Sequence, residues 1–400
     1  MIRRMPRSFT VIALLLAGFL FLDPFGFFRP RQTVQRERFE SSRLDVLGAE
    51  LHAVGQTPDT YLLGMLDSHT VVFLGEFGRI QEQVEFVQEF LPRMYADGHS
   101  TLGLSHVRAV DQEHINQVLS AATFEEETVQ KLLFRSNVLL GYQEYLELFR
   151  TAWELNTGRE ENQEPFQIIG LGARTDYSHV RSAADMEDAA ILRQVFPDGL
   201  PDEVIADTVL SFVGDSGHRL LVYTGIESSF TRFVDRQYAT AVSLQQVGRT
   251  GRAGNLVYRK LGDAVATVLL HSPWPDSRER GGLAYPLNGL LDAVYEQNLV
   301  PIGWSLGNTR LAELPVKHGM YVEGADVVQF GQMACGYIML GPLSNYHAVE
   351  TIPEFITADN LESAIAAFPG PTPPRASVTG LNNYIQSLSE DVEARLREFR

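Results

Sequence analysis

The 400-residue sequence predicts an α/β fold, a mainly parallel sheet with helices on both faces, preceded by a single N-terminal transmembrane helix. Two observations predict the sheet. Short runs rich in β-branched residues alternate with stretches whose apolar residues recur at helical spacing. The runs are also mainly apolar, as suits strands of a parallel sheet with helices on its faces. A third observation, an Arg-flanked apolar stretch at the start of the chain, predicts the membrane helix.

Val71, Val72, Phe73 and Leu74 form the first run, which ends in Gly75 and Glu76. Ile80, Val84, Val87 and Leu91 follow at helical spacing, so this segment reads as strand, turn, helix. Residues 101–107 (TLGLSHV) read as a second strand, followed by helical patterns over 111–121, 125–136 and 142–156. After the polar loop NTGREENQEP, residues 166–173 form a third strand. Helices near 183–196 and 202–213 lead to a fourth strand at 220–226, and a fifth runs over 264–270. The last third reads as a helix near 287–297, a strand at 300–305, and β-like runs around 326–330 and 335–340. The segment 368–376 (FPGPTPPRA) is a Pro-rich linker, and 381–400 a polar helix with Leu381, Tyr384, Ile385, Leu388, Val392 and Leu396 on one stripe. That stripe suits packing on its own domain or docking on a partner. The expected organisation is an anchor at 1–30, a linker and first helix at 31–60, the α/β domain at 61–367, and the linker and terminal helix at 368–400.

Arg3, Arg4 and Arg7 precede an apolar stretch over 9–22, and Phe25, Phe27 and Phe28 extend it past Asp23 and Pro24. No lipobox Cys and no small-x-small cleavage site follows, so an uncleaved anchor is favoured over a cleaved secretory signal. Export in the usual orientation would make this a single-pass protein of a bacterial inner membrane, with its body in the periplasm.

Lys and Arg number 33 against 50 Asp and Glu, a net charge of −17, and the first 40 residues are net basic, so the body is more acidic still. Such a surface repels phosphate backbones and excludes nucleic acid as an expected partner. The single Cys335 can build neither an intramolecular disulfide nor a thiolate metal site. The ten His are scattered without an i, i+4 pair backed by a carboxylate, so no metal is expected.

Ligands of open α/β sheets bind beyond the C-terminal ends of strands. The residues there are Glu76, Phe77, Gly78 and Arg79, then Ser105 and His106, then Gly172, Ala173 and Arg174, then Glu227, Ser228 and Ser229, with His271 and Trp274 after the fifth run. The segments VVFLGEFGRIQEQVEFVQEFL, FQIIGLGAR, RLLVYTGIES, NLVYRKLGDAVATVLLHSPW and GYIMLGPLSNY together resemble the erythromycin-esterase-like and ChaN-like (Tiki) superfamily over roughly residues 65 to 345. The resemblance implies a pocket with a Glu and a His after the first strand, an acid after the second, an acid after the third and a His after a later one. Such pockets hydrolyse esters or, in ChaN-like relatives, bind haem.

Position by position, Glu76 matches the first-strand Glu, but the family's His falls on Gly78, its second-strand Glu on Ser105 and its third-strand Asp on Gly172. The later His falls on Glu227 or Ser228. Hydrolysis needs a base and a carboxylate that orients it. The remnant pocket of Glu76, Gly78, Ser105, His106, Gly172 and Glu227 therefore reads as degenerate, without a His beside Glu76. His106 and His271 read as hydrogen-bonded structural residues, with displaced substitution as the alternative. The expected function is a non-catalytic, membrane-anchored subunit of a membrane complex, holding the bilayer through its N-terminal helix and binding other subunits, without a cofactor. An esterase-like or serine hydrolase is the alternative, and haem or small-ligand carriage the second.

Two further motifs bear on these alternatives. Gly303-Trp304-Ser305-Leu306-Gly307 is a G-x-S-x-G string followed by Asp326 and His347, the order of a hydrolase triad with Ser305 as nucleophile, His347 as base and Asp326 orienting it. The elbow normally opens a long helix, whereas Pro315 follows closely here. Gly248, Gly251 and Gly254 with Arg249 and Arg252 lack the spacing of a phosphate cradle and read as a packed loop.

Overall fold

The computed structural model describes residues 34–278, 282–297, 299–325, 327–370, 373 and 375–400, with the backbone alone at 183, 215 and 216. Its centre is a seven-stranded sheet formed by β1 (Val71–Glu76), β2 (Thr101–Arg108), β3 (Gln167–Gly172), β4 (Leu220–Gly225), β5 (Val265–Leu270), β8 (Ile302–Ser305) and β9 (Gly336–Met339). The strands lie in the order β3-β2-β4-β1-β5-β9-β8, while β6 (Trp274–Pro275) and β7 (Leu283–Ala284) pair separately. Every pairing in the large sheet is parallel except that of β8 with β9.

Each residue of β1 and β5 is buried, the physical counterpart of their unbroken apolar runs. Successive side chains still point to opposite faces. Val72 and Leu74 join a core with Val87 and Phe90 of the helix Gln81–Ala96 and Leu146 and Phe149 of Gln143–Gly158. Val71 and Phe73 face Ile205 and Val209 of Pro201–Ser216 and Leu256 and Val257 of Ala253–Leu261. Pro at the first turn sets the start of Pro58–Ser68 and of Pro201–Ser216, and Gly217, at φ 69°, ends the latter in the left-handed conformation. The terminal helix Val378–Leu396 is capped by Ser377, whose Oγ accepts from the Gly380 N–H at 3.1 Å. Its stripe packs on the body: Leu381, Ile385 and Leu388 enter the largest core cluster, and Val392 and Leu396 pack with Phe399 and Tyr346.

Two elements differ from the sequence expectation. Around 326–330 there is an isolated Gln329–Pro315 bridge and then a short helix, Phe330–Met333, in place of a strand. The run is apolar because Val328 and Phe330 fill a core cluster, not because the segment lies in a sheet. The helix expected over 287–297 is confined to Leu290–Tyr295, since Leu287 and Asn288 take φ values of 48° and 58° that no α-helix accepts. Among the described residues no helix is long and apolar enough to cross a membrane, and the anchor expected at 1–30 lies outside them.

Candidate functional site

β3, β2, β4 and β1 are adjacent, so their C-terminal ends meet along one edge of the sheet. There Glu76 is in register with Gly225, and Leu104 with Tyr223. A register shift between β2 and β3 after Leu104 bulges the chain at Ser105 and His106 before pairing resumes at Arg108 and Gly172. The result is a cavity of about 160 Å³ whose walls include Glu76, Gly78, Ser105, His106, Gly172 and Glu227. The six residues of the remnant pocket read from the sequence thus line one cavity, whereas Arg174, Ser229, His271 and Trp274 do not.

His106 Nε2 lies 2.7 Å from Glu76 Oε1. Both groups are nearly inaccessible, with Glu76 2% and His106 6% exposed. Tyr223 donates its hydroxyl to Glu76 Oε2 at 2.5 Å, and Tyr145 reaches the two carboxylate oxygens at 3.2 and 3.3 Å. Burial, followed by the neighbouring Glu76 carboxylate, holds both phenols well above their usual range, so they remain donors. The His106 ring stacks on Tyr145 with centroids 4.4 Å apart. Its Nδ1 is buried with no hydrogen-bond partner. A carboxylate at Nε2 fixes the N–H there and leaves the Nδ1 lone pair uncommitted, the arrangement of an oriented general base.

This corrects the expectation that no His adjoins Glu76. The imidazole comes from the second strand, where position 106 shares the face of Leu104, the same face of the sheet that carries Leu74 and Glu76. The missing family groups also have local causes. Gly78, at φ 87°, and Arg79, at φ 59°, form a left-handed turn that strains any other residue at 78. At Gly172 a Cβ would stand 2.9 Å from the carbonyl oxygens of Ser105 and Val107, so no acid fits there. Ser105 donates its hydroxyl to the Tyr223 carbonyl at 3.3 Å. His271, at the end of β5, does not line the cavity. Its Nδ1 lies 2.9 Å from the Tyr337 hydroxyl, and its carbonyl accepts from Gln83, whose Oε1 accepts from the Phe77 N–H. It braces the turn behind the pocket.

The inner wall holds a second charged cluster. Arg252, 3% exposed, lies 2.7 Å from Asp235, 3.4 Å from Glu227 and 3.5 Å from Asp202, with its guanidinium 4.0 Å from the centre of the Tyr238 ring. Burial alone would lower the guanidinium pKa, but the carboxylates of Glu227, Asp235 and Asp202 hold it above its ordinary range. Asp202 also accepts from the Ala253 N–H and Asp235 from the Tyr238 N–H. Glu227 accepts no hydrogen bond among the described residues. Burial pushes its carboxyl up to about 7, with Arg252 opposing and Asp235 and Asp202 adding to the shift. Of this cluster only Arg252, in a Gly-containing loop, and Glu227, at a strand end, stand out in the sequence, since its acids come from three separate segments.

Ser305 and His347 do not meet. Ser305 ends the antiparallel β8 opposite Gly336 at the start of β9, and its hydroxyl is 3.5 Å from that of Tyr61. His347 lies beyond the other edge, its Nδ1 2.7 Å from Glu82 at the start of the helix after β1. Asp326 lies outside the described residues. An antiparallel strand delivers its last residue to the edge away from the parallel strand ends, so the elbow cannot face the pocket. Haem does not fit either: the cavity is below the 300–1,000 Å³ usual for cofactor sites, and the Tyr145 and Tyr223 hydroxyls are both bound to Glu76.

No protein-family profile matches the chain, and no curated protein matches it. Solved structures do. A succinoglycan biosynthesis protein matches at 10% identity and a TM-score of 0.54, covering 78% of this chain and all of its own. An erythromycin esterase mutant in its open conformation matches at 9% identity and 0.44, over 82% of this chain and 99% of its own. ChaN of Campylobacter jejuni with cofacial haem matches at 10% and 0.33, over 53% and 85%. At 10% identity the likeness to the succinoglycan biosynthesis protein is one of fold alone.

Proposed function

We propose that this protein is a small-ester hydrolase in which His106, oriented by Glu76, acts as general base. One observation supports the reading above others: His106, a residue of the cavity wall, has its Nε2 held 2.7 Å from a buried carboxylate while its Nδ1 is left without a hydrogen-bond partner. The reaction class follows the sequence resemblance to the esterase-like superfamily. The cavity, close in size to one that admits benzene, suits a short acyl group. Water placed at Nδ1 would lose its proton to the imidazole as its oxygen attacks the carbonyl carbon, and Glu76 would stabilise the imidazolium.

The test is turnover of short-chain p-nitrophenyl esters by the wild type, His106→Ala and Glu76→Gln. Turnover reduced by at least about 100-fold in both variants is expected. A wild type that releases no nitrophenol, or variants that match it, would overturn the reading and return the chain to the non-catalytic subunit role expected from the sequence. Attachment to a bacterial inner membrane through residues 1–30, with the body in the periplasm, belongs to the same proposal; its support is the Arg-flanked apolar stretch alone. Full-length chain should stay with membranes after carbonate washing, whereas chain beginning at residue 34 should be released.

A further inference from the structure

We infer that Glu227 is a second catalytic residue of this pocket, the general acid that protonates the leaving alcohol while His106 receives the proton of the attacking water. The inference rests on the hydrolase reading above. Its ground is geometric. Glu227 begins two residues beyond Gly225, the register partner of Glu76 on the neighbouring strand, so both carboxyl groups reach the same cavity from adjacent strand ends. Yet their surroundings are opposite. Glu76 is bound by His106, Tyr145 and Tyr223, three groups that can donate to a carboxylate. Glu227, 7% exposed, has Arg252 at 3.4 Å and no hydrogen bond to its carboxyl among the described residues.

The charges around Glu227 favour its neutral form. Arg252 is its sole cationic contact here and is shared with Asp235, at a shorter 2.7 Å, and Asp202. Tyr238 and Tyr321 complete the surroundings, and burial holds both phenols well above their usual range and so uncharged. Three buried carboxylates around one guanidinium would carry a net charge of −2, and protonating one of them halves that excess. Asp235 and Asp202 are fixed as acceptors by the N–H groups of Tyr238 and Ala253. Glu227 is the member that keeps a proton, in line with its carboxyl being pushed up to about 7. Two titratable groups in one cavity with opposite proton status are what acid–base hydrolysis requires.

The step balances. The water oxygen bonds to the carbonyl carbon as its proton passes to His106. The ester C–O bond then breaks, and the departing alkoxide takes the Glu227 proton. Exchange with solvent returns a proton from His106 to Glu227.

A leaving group that is itself a weak base needs no acid, so the test compares a p-nitrophenyl ester with the ethyl ester of the same short acid. Glu227→Gln should lower kcat on the ethyl ester by about 100-fold or more and leave the p-nitrophenyl ester within a few-fold of wild type. The wild type should lose ethyl-ester turnover above about pH 7, a limb missing from its p-nitrophenyl profile; this measurement stands even if the variant fails to fold. In ¹³C-glutamate-labelled protein, the carboxyl infrared band titrating near neutrality should lose one of its two components in Glu227→Gln, that of Glu144 remaining. Equal losses on both esters, or absence of the limb and of the Glu227 component, would overturn the donor role alone. A wild type inert on both esters would overturn the hydrolase reading and the donor role with it.

Discussion

Glu76, the last residue of β1, and His106, inside the bulge of β2, meet at 2.7 Å although β4 lies between their strands. Tyr223 of that intervening strand bonds the same carboxylate, so the pair is bridged across the sheet by a phenol. Removing the carboxylate should therefore cost stability as well as activity. Glu76→Leu strands the Tyr145 and Tyr223 hydroxyls and the His106 N–H, and a loss of about 3 kcal/mol is expected in urea unfolding. Glu76→Gln, which keeps an acceptor, should lose less.

Ser305→Ala serves as the contrast. Among the described residues its hydroxyl meets only that of Tyr61, at 3.5 Å, at the edge of the sheet away from the pocket. Ester turnover within about twofold of wild type is expected, and a loss as large as that of His106→Ala would place the chemistry at the G-x-S-x-G string instead.

Arg252 holds together acids from three segments. Replacing it with Met leaves Asp202, Asp235 and Glu227 buried without their cation, and about 3–5 kcal/mol should be lost. Adding Asp235→Asn to Arg252→Met should recover part of that loss; strict additivity would show the two residues to be uncoupled.

The pH dependence of stability follows from Glu227. Its folded-state pKa, about 7, lies above the ordinary value of 4.5, so between these values the folded protein binds more protons than the unfolded chain. The contribution is fully present below about pH 4.5 and is lost as pH rises through 7, with a slope of at most about 1.4 kcal/mol per pH unit. Glu144, also pushed up to about 7 by burial, acts in the same direction. Urea midpoints taken from pH 5 to pH 8 should fall, and Glu227→Gln should flatten the decline.

The terminal helix is part of the pocket wall, since Val392 and Arg395 line the cavity and Leu396 is fully buried beside it. Leu396→Ala should destabilise by about 2–5 kcal/mol and lower ester turnover in the fraction that stays folded. Unchanged unfolding would show that the helix is only loosely attached.

The order of strands and helices was legible in the sequence because burial on both faces of a parallel sheet leaves unbroken apolar runs such as 71–74, 220–223 and 265–270. Glu76 and the other strand-end positions were legible for the same reason, as the chain polarity of parallel strands sends their last residues to one edge. Position 78 was misleading. The family pattern puts an imidazole next to Glu76 in the chain, whereas here it comes from His106 at the end of β2.

The sequence by itself determined the α/β alternation and the set of residues at the strand ends, since both follow from local periodicity and chain direction. Only the tertiary structure decided that His106 reaches Glu76 across β4, that Gly172 admits no side chain, that β8 runs antiparallel and takes Ser305 away from the pocket, and that Asp202, Asp235 and Glu227 gather on Arg252. These are distances between groups remote in the chain, fixed by strand register and by the balance of buried charge. No local pattern encodes them.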